Sequence, residues 1–318
     1  MPGLGLAAPR PTPAPWPANA IFGIDFLTSR AMRDGVYIPL DQAMSFSRPS
    51  PRLAKTASGA WRAFAPNEPA ITDLGLSLEP EATNLIVNNT GNSGSGILLT
   101  GTTMAPIGGN DSPARDAHGK RVTQGAGASD GLTRHSINTI GGKLYSWSQS
   151  FKYDGSATWI RFTFSDNVAH GVNAWLNLQT MTLGTTGAFG TAVLQSCTLT
   201  PEIDGWHRLA MTGSVPNNAT GGLSTYVAAS NGGSTRVAGT CAIWGTQMEL
   251  GGLTSAVATQ GTATTRLADT ASVLLNAANQ KLHVTGGDVV LGEYSTAGGS
   301  VELASQLHQV ASLWTLAL

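Results

Sequence analysis

From residue 145 to 153 every second side chain is large. Tyr145, Trp147, Gln149, Phe151 and Tyr153 fall on one side of an extended chain, and Ser146, Ser148, Ser150 and Lys152 on the other. The device recurs at 159–164, where Ile160, Phe162 and Phe164 oppose Trp159, Arg161 and Thr163. It recurs again at 172–179, where Val172, Ala174, Leu176 and Leu178 oppose Asn173, Trp175, Asn177 and Gln179. Further strand-like runs follow at 192–199, 206–211, 223–228 and 239–250, with glycine-rich turns between them. Strands with one apolar and one polar side are halves of packed antiparallel sheets, and short strands at regular intervals make an all-β antiparallel jelly-roll sandwich. No stretch has the spacing of a long amphipathic helix.

The ends read differently. Six prolines within residues 1–19 favour an extended backbone that makes no ladder, either a disordered leader or a strap lying on a neighbouring subunit, for which Trp16 is a suitable docking side chain. Two short strand-like runs lie between 20 and 40, joined by the polar segment 28–34. Leu74, Leu76 and Leu78 alternate into a strand that Pro80 interrupts, and residues 90–143 suggest short strands between long Gly/Asn/Ser/Thr-rich loops. Residues 275–318 show some helix-compatible spacing and end in the apolar LHQVASLWTLAL, which needs a partner surface. The expected division is an extended N-terminal arm over 1–44, a jelly roll over 45–274 and a small C-terminal packing segment over 275–318.

Composition narrows the partners. Charged residues make up 12% of the chain, against a typical value of roughly 25%, and the formal net charge is −1. Neither nucleic acid nor an anionic membrane has an electrostatic footprint here. No basic leader with a long apolar core opens the chain, and no run approaches the length of a membrane span, so the reading is of a protein made in the cytoplasm without a signal peptide and without membrane insertion. Cys197 and Cys241 lie in separate strands without metal-ligand spacing, and pairing or free thiols are both open.

Several phrases in order resemble a family of bacteriophage and gene-transfer-agent virion surface proteins, head spikes and tail fibres with concanavalin-like or carbohydrate-binding-module jelly rolls. They are Ser45-Phe46-Ser47-Arg48, Asn67-Glu68-Pro69, LGLSLEPEATNLI from Leu74 and His135-Ser136-Ile137. GGKLYSWSQSFKYDG from Gly141, Gly205-Trp206-His207-Arg208-Leu209, IWGTQMELGG from Ile243 and Thr265-Arg266-Leu267-Ala268-Asp269 complete the set. Pro49, Ser50, Pro51 and Arg52 depart from the small residues and aromatic that follow Arg48 in that family. The resemblance implies a jelly roll on the surface of a virion or phage-like particle, and places Trp147, Trp206 and Trp244 as packing residues. It names no ligand, because such domains serve both as sugar receptors and as architectural parts.

Sugar recognition needs aromatic faces flanked by amide, guanidinium or carboxylate groups. Alternation places Trp159 and Arg161 on the non-core side of one strand, and Asn173, Trp175, Asn177 and Gln179 on that of another. If the strands are neighbours, these six residues form the candidate carbohydrate site, unless the arm or a second subunit covers the tryptophans. Affinity on so neutral a surface would vary little with salt. No catalytic residues are assigned, since Glu79, Glu81, Glu249 and Asp269 make no recognisable acid and base pair, and the six histidines include no metal-binding motif. No cofactor is expected beyond a structural Ca2+, for which Asp111, Asp116, Asp130, Glu249 and Asp269 are the candidate ligands. The expected function is adsorption of a particle to host cell-surface polysaccharide. Its partners are other particle proteins, gripped by the arm and the C-terminal segment, and further copies in a homo-oligomer. The alternative is a purely structural spike or fibre subunit that binds no sugar.

Overall fold

A computed structural model describes residues 16–89, 101–109, 111–127, 131–275, 281–286, 289–295, 299–304, 307 and 309–316. The chain divides into two units, one of 1–47, 71–78 and 270–318, the other of 48–70 and 79–269. The proline-rich stretch 1–15 and Asp130 lie outside the described residues.

The second unit is the β-sandwich. Its strands are β1 (Thr102–Pro106), β2 (Lys120–Gln124), β3 (Thr133–Thr139), β4 (Leu144–Tyr153), β5 (Trp159–Ser165), β6 (Gly171–Asn177), β7 (Thr182–Phe189), β8 (Val193–Pro201), β9 (His207–Ser214), β10 (Ala219–Ala228) and β11 (Gly239–Leu250). A six-stranded sheet runs in the order β1-β2-β11-β4-β9-β8 and a five-stranded sheet in the order β3-β10-β5-β6-β7, all pairs antiparallel. The alternation read in β4 has the expected physical result. Tyr145, Trp147 and Phe151 face the five-stranded sheet and meet Phe162 and Phe164 of β5 in one core, with Trp147 4.9 Å and Tyr145 5.8 Å from the Phe164 ring and Phe151 set edge-on to Phe162. Gln149, buried on the same side, accepts a hydrogen bond from Thr225 Oγ1 of β10 at 3.0 Å, so the one polar residue in the row bridges the sheets.

The hydroxyl side of β4 is buried as well. Arg208 of β9 donates to Ser148 and Ser150 Oγ and to the Gly245 carbonyl, and its guanidinium lies over the rings of Trp61 and Trp244. Trp61, Trp206, Ala242, Trp244 and Ala256 form a separate cluster on this outer face of the six-stranded sheet. Trp206 and Trp244 are therefore buried, but against the segments that cover the sheet, while Trp147 sits between the sheets.

The first unit corrects the expectation of an arm and a tail. Residues 20–38, expected within the arm, form Ala20–Asp25, Arg30–Arg33 and Val36–Ile38 in a six-stranded sheet, and the C-terminal segment supplies its other three strands, Lys281–Gly286, Val289–Ser295 and Ser312–Leu316. Ala20–Asp25 pairs directly with Ser312–Leu316, while Met44–Ser47 and Ser300–Leu303 flank Thr270–Leu274 in a second sheet. Helix-compatible spacing gave way here because Leu282, Val284 and Leu313 need a strand face to reach Phe22 and Ile24 in a common core. Trp16 packs within its own chain, on Gly23: a Cβ at that position would lie 2.6 Å from the indole.

Phe162 is fully buried against Phe151, and truncation leaves a cavity between the sheets. Phe162→Ala is expected to lower unfolding free energy by about 3–5 kcal/mol, measured as a shift in the urea midpoint with an unchanged slope.

Candidate functional site

The outer face of the five-stranded sheet follows from the core. With Ile160, Phe162 and Phe164 directed inward, Trp159, Arg161 and Thr163 of β5 must point away. Register sets Arg161 between Trp175 of β6 and Tyr226 of β10, Thr163 between Asn173 and Ser224, and Trp159 between Asn177 and Ala228. Small Ala228 on one side, and Gly184 of β7 near the indole, make room for the Trp159 ring. A Cβ at Gly184 would stand 2.7 Å from it. Trp159 is half-buried.

Arg161 is the organising group. Its Nε and Nη2 both donate to Asn173 Oδ1, at 2.9 and 2.7 Å, and its Nη1 donates to the Tyr226 hydroxyl. The guanidinium carbon lies 5.0 Å from the centroid of the Trp175 ring and 5.3 Å from that of Tyr226. Thr163 Oγ1 adds a third donor to Asn173 Oδ1 at 2.8 Å, so the amide is held in one orientation. Burial pushes the Tyr226 phenol above its ordinary value, with Arg161 pulling the other way.

The loop 229–236 closes over part of this face. Its Gly233 carbonyl accepts the Trp175 indole N–H at 2.9 Å, its Asn231 Oδ1 accepts Thr185 N of β7 at 2.8 Å, and Arg236 lies 4.7 Å from the centre of the Tyr226 ring. Trp175 is consequently only 7% exposed and Tyr226 4%. Neither ring is an open stacking platform, and the chain's own loop lies against Trp175.

Of the six residues read from the sequence, Trp159, Arg161, Asn173, Trp175 and Asn177 share this face. Asn177 Oδ1 accepts Gln179 N and Thr180 N and so caps the turn into β7. Gln179 stands beyond the end of β6, where it donates to the Tyr153 hydroxyl at 3.2 Å. Tyr226 and the loop were missed, and Thr163, which alternation puts on this face, stands outside the six. Tyr226 was legible by parity, since Leu223 and Val227 of its strand are core residues and the side chain between them at 226 must face out.

The carboxylates serve other contacts. Asp269 accepts Arg48 and Arg52, and Glu79 pairs with Arg52 and Arg266, all five side chains at most 8% exposed. Asp116 Oδ1 accepts Trp244 Nε1, Ser112 Oγ and His118 N, and Glu249 accepts Thr254 N and Oγ1. Among the described residues no three His, Cys, Asp or Glu side chains gather as a metal site would require, so the candidate Ca2+ ligands do not converge there. Cys197 and Cys241 are free, on β8 and β11 with β4 and β9 between them, and burial pushes both thiols up to about 12. The same unit carries a mainly apolar groove of about 280 Å³ between Leu53, Ala63 and Ala256–Ala258, with Asp116 and His118 in its walls. Among the described residues no helix is long and apolar enough to cross a membrane.

No family model matches the sequence, and no curated protein is similar to it. Among solved structures the chain is similar to the Clostridium thermocellum N-terminal endo-1,4-β-D-xylanase 10B, in its CBM22-1 and GH10 modules complexed with xylohexaose. The identity is 13% and the TM-score 0.27, over 54% of this chain and 28% of that one. The β-sandwich assignment here rests on the strand pairing itself.

Burial pushes the Glu249 carboxyl above its ordinary 4.5. A raised carboxylate pKa means that the folded chain holds this proton more tightly than the unfolded chain. The group's contribution to stability is therefore largest at low pH, falls as pH rises through 4.5 and the folded value, and is constant above. Glu249→Gln, which keeps an acceptor for Thr254, is expected to remove that fall. Urea midpoints of both proteins across pH 4 to 7 check it, and parallel curves would contradict it.

Proposed function

We propose that the outer face of the five-stranded sheet binds polysaccharide, and that the protein belongs to the surface of a virion or phage-like particle, as a head spike or tail fibre that meets host cell-surface polysaccharide. The observation that carries the binding reading is the Arg161 cluster: a guanidinium held flat by Asn173, Trp175 and Tyr226, beside a half-buried Trp159 and the amide of Asn177. Such a surface joins one apolar ring to fixed hydrogen-bonding groups, which is what a sugar's two kinds of surface require. The particle role is supported by the ordered phrases between residues 45 and 269. In this reading the protein binds without cleaving, and the unit built from the two ends of the chain attaches it to other particle proteins. Many copies on one particle make weak single sites effective.

A second, structural reading is favoured by the sheet edges. The segment 180–201, which holds the edge strands β7 and β8, contains no charged residue. Unguarded edges of this kind pair readily with other strands, and a second copy brings no like charge against them. Leu183, Phe189 and Val193 are exposed along them.

Two outcomes separate the readings. On a glycan array of bacterial surface polysaccharides, Trp159→Ala is expected to weaken binding roughly three- to tenfold, the loss of one aromatic contact, with circular dichroism unchanged; equal binding by both proteins counts against the site. For the structural reading, light scattering should find the wild type as a multimer and Thr186→Lys with Thr198→Lys as a monomer. A monomeric wild type argues against edge pairing.

A further inference from the structure

Resting on the polysaccharide reading above, we infer that the ligand is acidic: the outer face of the five-stranded sheet takes a polysaccharide bearing carboxylate or other anionic groups, and Arg161 receives the anion. The neutrality of the whole chain, with 18 basic and 19 acidic residues, conceals a local imbalance. Strands β3, β5, β6, β7 and β10, together with the loop 229–236, contain Arg134, Arg161 and Arg236 and not one Asp or Glu. At the end of β5 stands Asp166, and its carboxylate is fully buried, accepting the amides of Val168, Ala169 and His170 and the Asn217 side chain.

Arg161 itself has neutral partners. Its acceptors are an amide oxygen and a phenol oxygen, and its ring neighbours are Trp175 and Tyr226. Withdrawing a guanidinium partly from water without a counter-ion is costly, and cation–π contact offsets only part of that. Three of its five N–H groups are engaged, by Asn173 twice and Tyr226 once, which leaves one N–H on each terminal nitrogen. A guanidinium with an N–H to spare on each terminal nitrogen can donate to the oxygens of a carboxylate, the anion for which arginine surpasses lysine. Asn173, held by Thr163, sets the plane before any ligand arrives. Nucleic acid, the other polyanion, is disfavoured, because its binding uses rows of open aromatic or cationic side chains and here Trp175 and Tyr226 are covered.

This revises the expectation of salt-independent binding. The test uses the full-length protein on an array that holds polygalacturonate, its methyl-esterified neutral form, alginate, neutral glucans and single-stranded DNA. Retention of acidic members, weakened as salt rises from about 50 mM to about 500 mM, is the expected result. Arg161→Gln should lower that affinity about tenfold or more, and Arg161→Lys, which keeps the charge but not the fork, should fall between. Thermal melts of both variants check that they fold, and Arg161→Lys keeps the test decisive if Arg161→Gln does not. Binding of neutral members alone overturns the inference and leaves the polysaccharide reading standing. Binding of acidic members equally by all three proteins removes Arg161 from the site, and DNA binding as tight as that of polygalacturonate overturns the ligand class. Binding to none of the array sinks the polysaccharide reading itself.

Discussion

The packing of Phe162 and Phe164 beneath Trp147, Tyr145 and Phe151 decides the chemistry of the opposite face. A strand has only two sides, so once these rings occupy the interior the residues between and before them have no freedom. A one-residue slip of β5 would bury Arg161 against Trp147 and expose two phenylalanines. The aromatic contacts between the sheets thus hold the register, and the register holds Arg161 opposite Trp175 and Tyr226. The geometry of the site is thus inherited from the core.

The two sheets use arginine in contrasting ways. On the six-stranded sheet Arg208 is covered by Trp61 and Trp244, and its terminal nitrogens donate to two serine hydroxyls and a carbonyl while its buried Nε–H has no partner among the described residues. Burial depresses its pKa, with Glu202 and Glu249 acting against the shift. That guanidinium is mortar: it lets a hydroxyl-rich face be buried beneath indole rings. On the five-stranded sheet Arg161 is gripped by a similar combination of aromatic rings and neutral oxygens but stays half-buried, with N–H groups to spare. The same chemistry becomes structural or available according to whether another layer of chain lies on top.

Much of this was legible in the sequence, and for identifiable reasons. Period-two alternation in β4, β5 and β6 gave both the strands and the side on which Trp159, Arg161, Asn173 and Trp175 emerge, because parity is a local property. Long-range pairing is not. That Tyr226 comes to lie beside Arg161 depends on β10 returning next to β5, and nothing between residues 166 and 218 encodes that distance in a readable way. The loop 229–236 was invisible as a cover, since Gly233 acts through its carbonyl and Asn231 through one side-chain oxygen. Strand β7, with three residues of glycine and alanine among its eight, lacks alternation because the sheet edge buries neither side deeply. The first unit failed for the same reason of distance: Ala20–Asp25 and Ser312–Leu316 each look like a stray apolar run until they are paired.

The charge network at the ends of the second unit completes the argument. Arg48 is its first residue and Asp269 its last, and the two form an ion pair at 2.9 Å with neither side chain exposed. Arg52 and Glu79 extend the network, and the backbone N–H of Glu79, where the chain re-enters the unit, donates to Asp269 as well. Three points at which the chain enters or leaves the sandwich are therefore tied to one carboxylate. Such pairs contribute little net stability once desolvation is counted, but they are costly to break one partner at a time. Their consequence is geometric. The two ends of the unit and the point at Glu79 where the chain returns to it after residues 71–78 therefore meet in one buried network, apart from the aromatic contacts that set the register of the sheets.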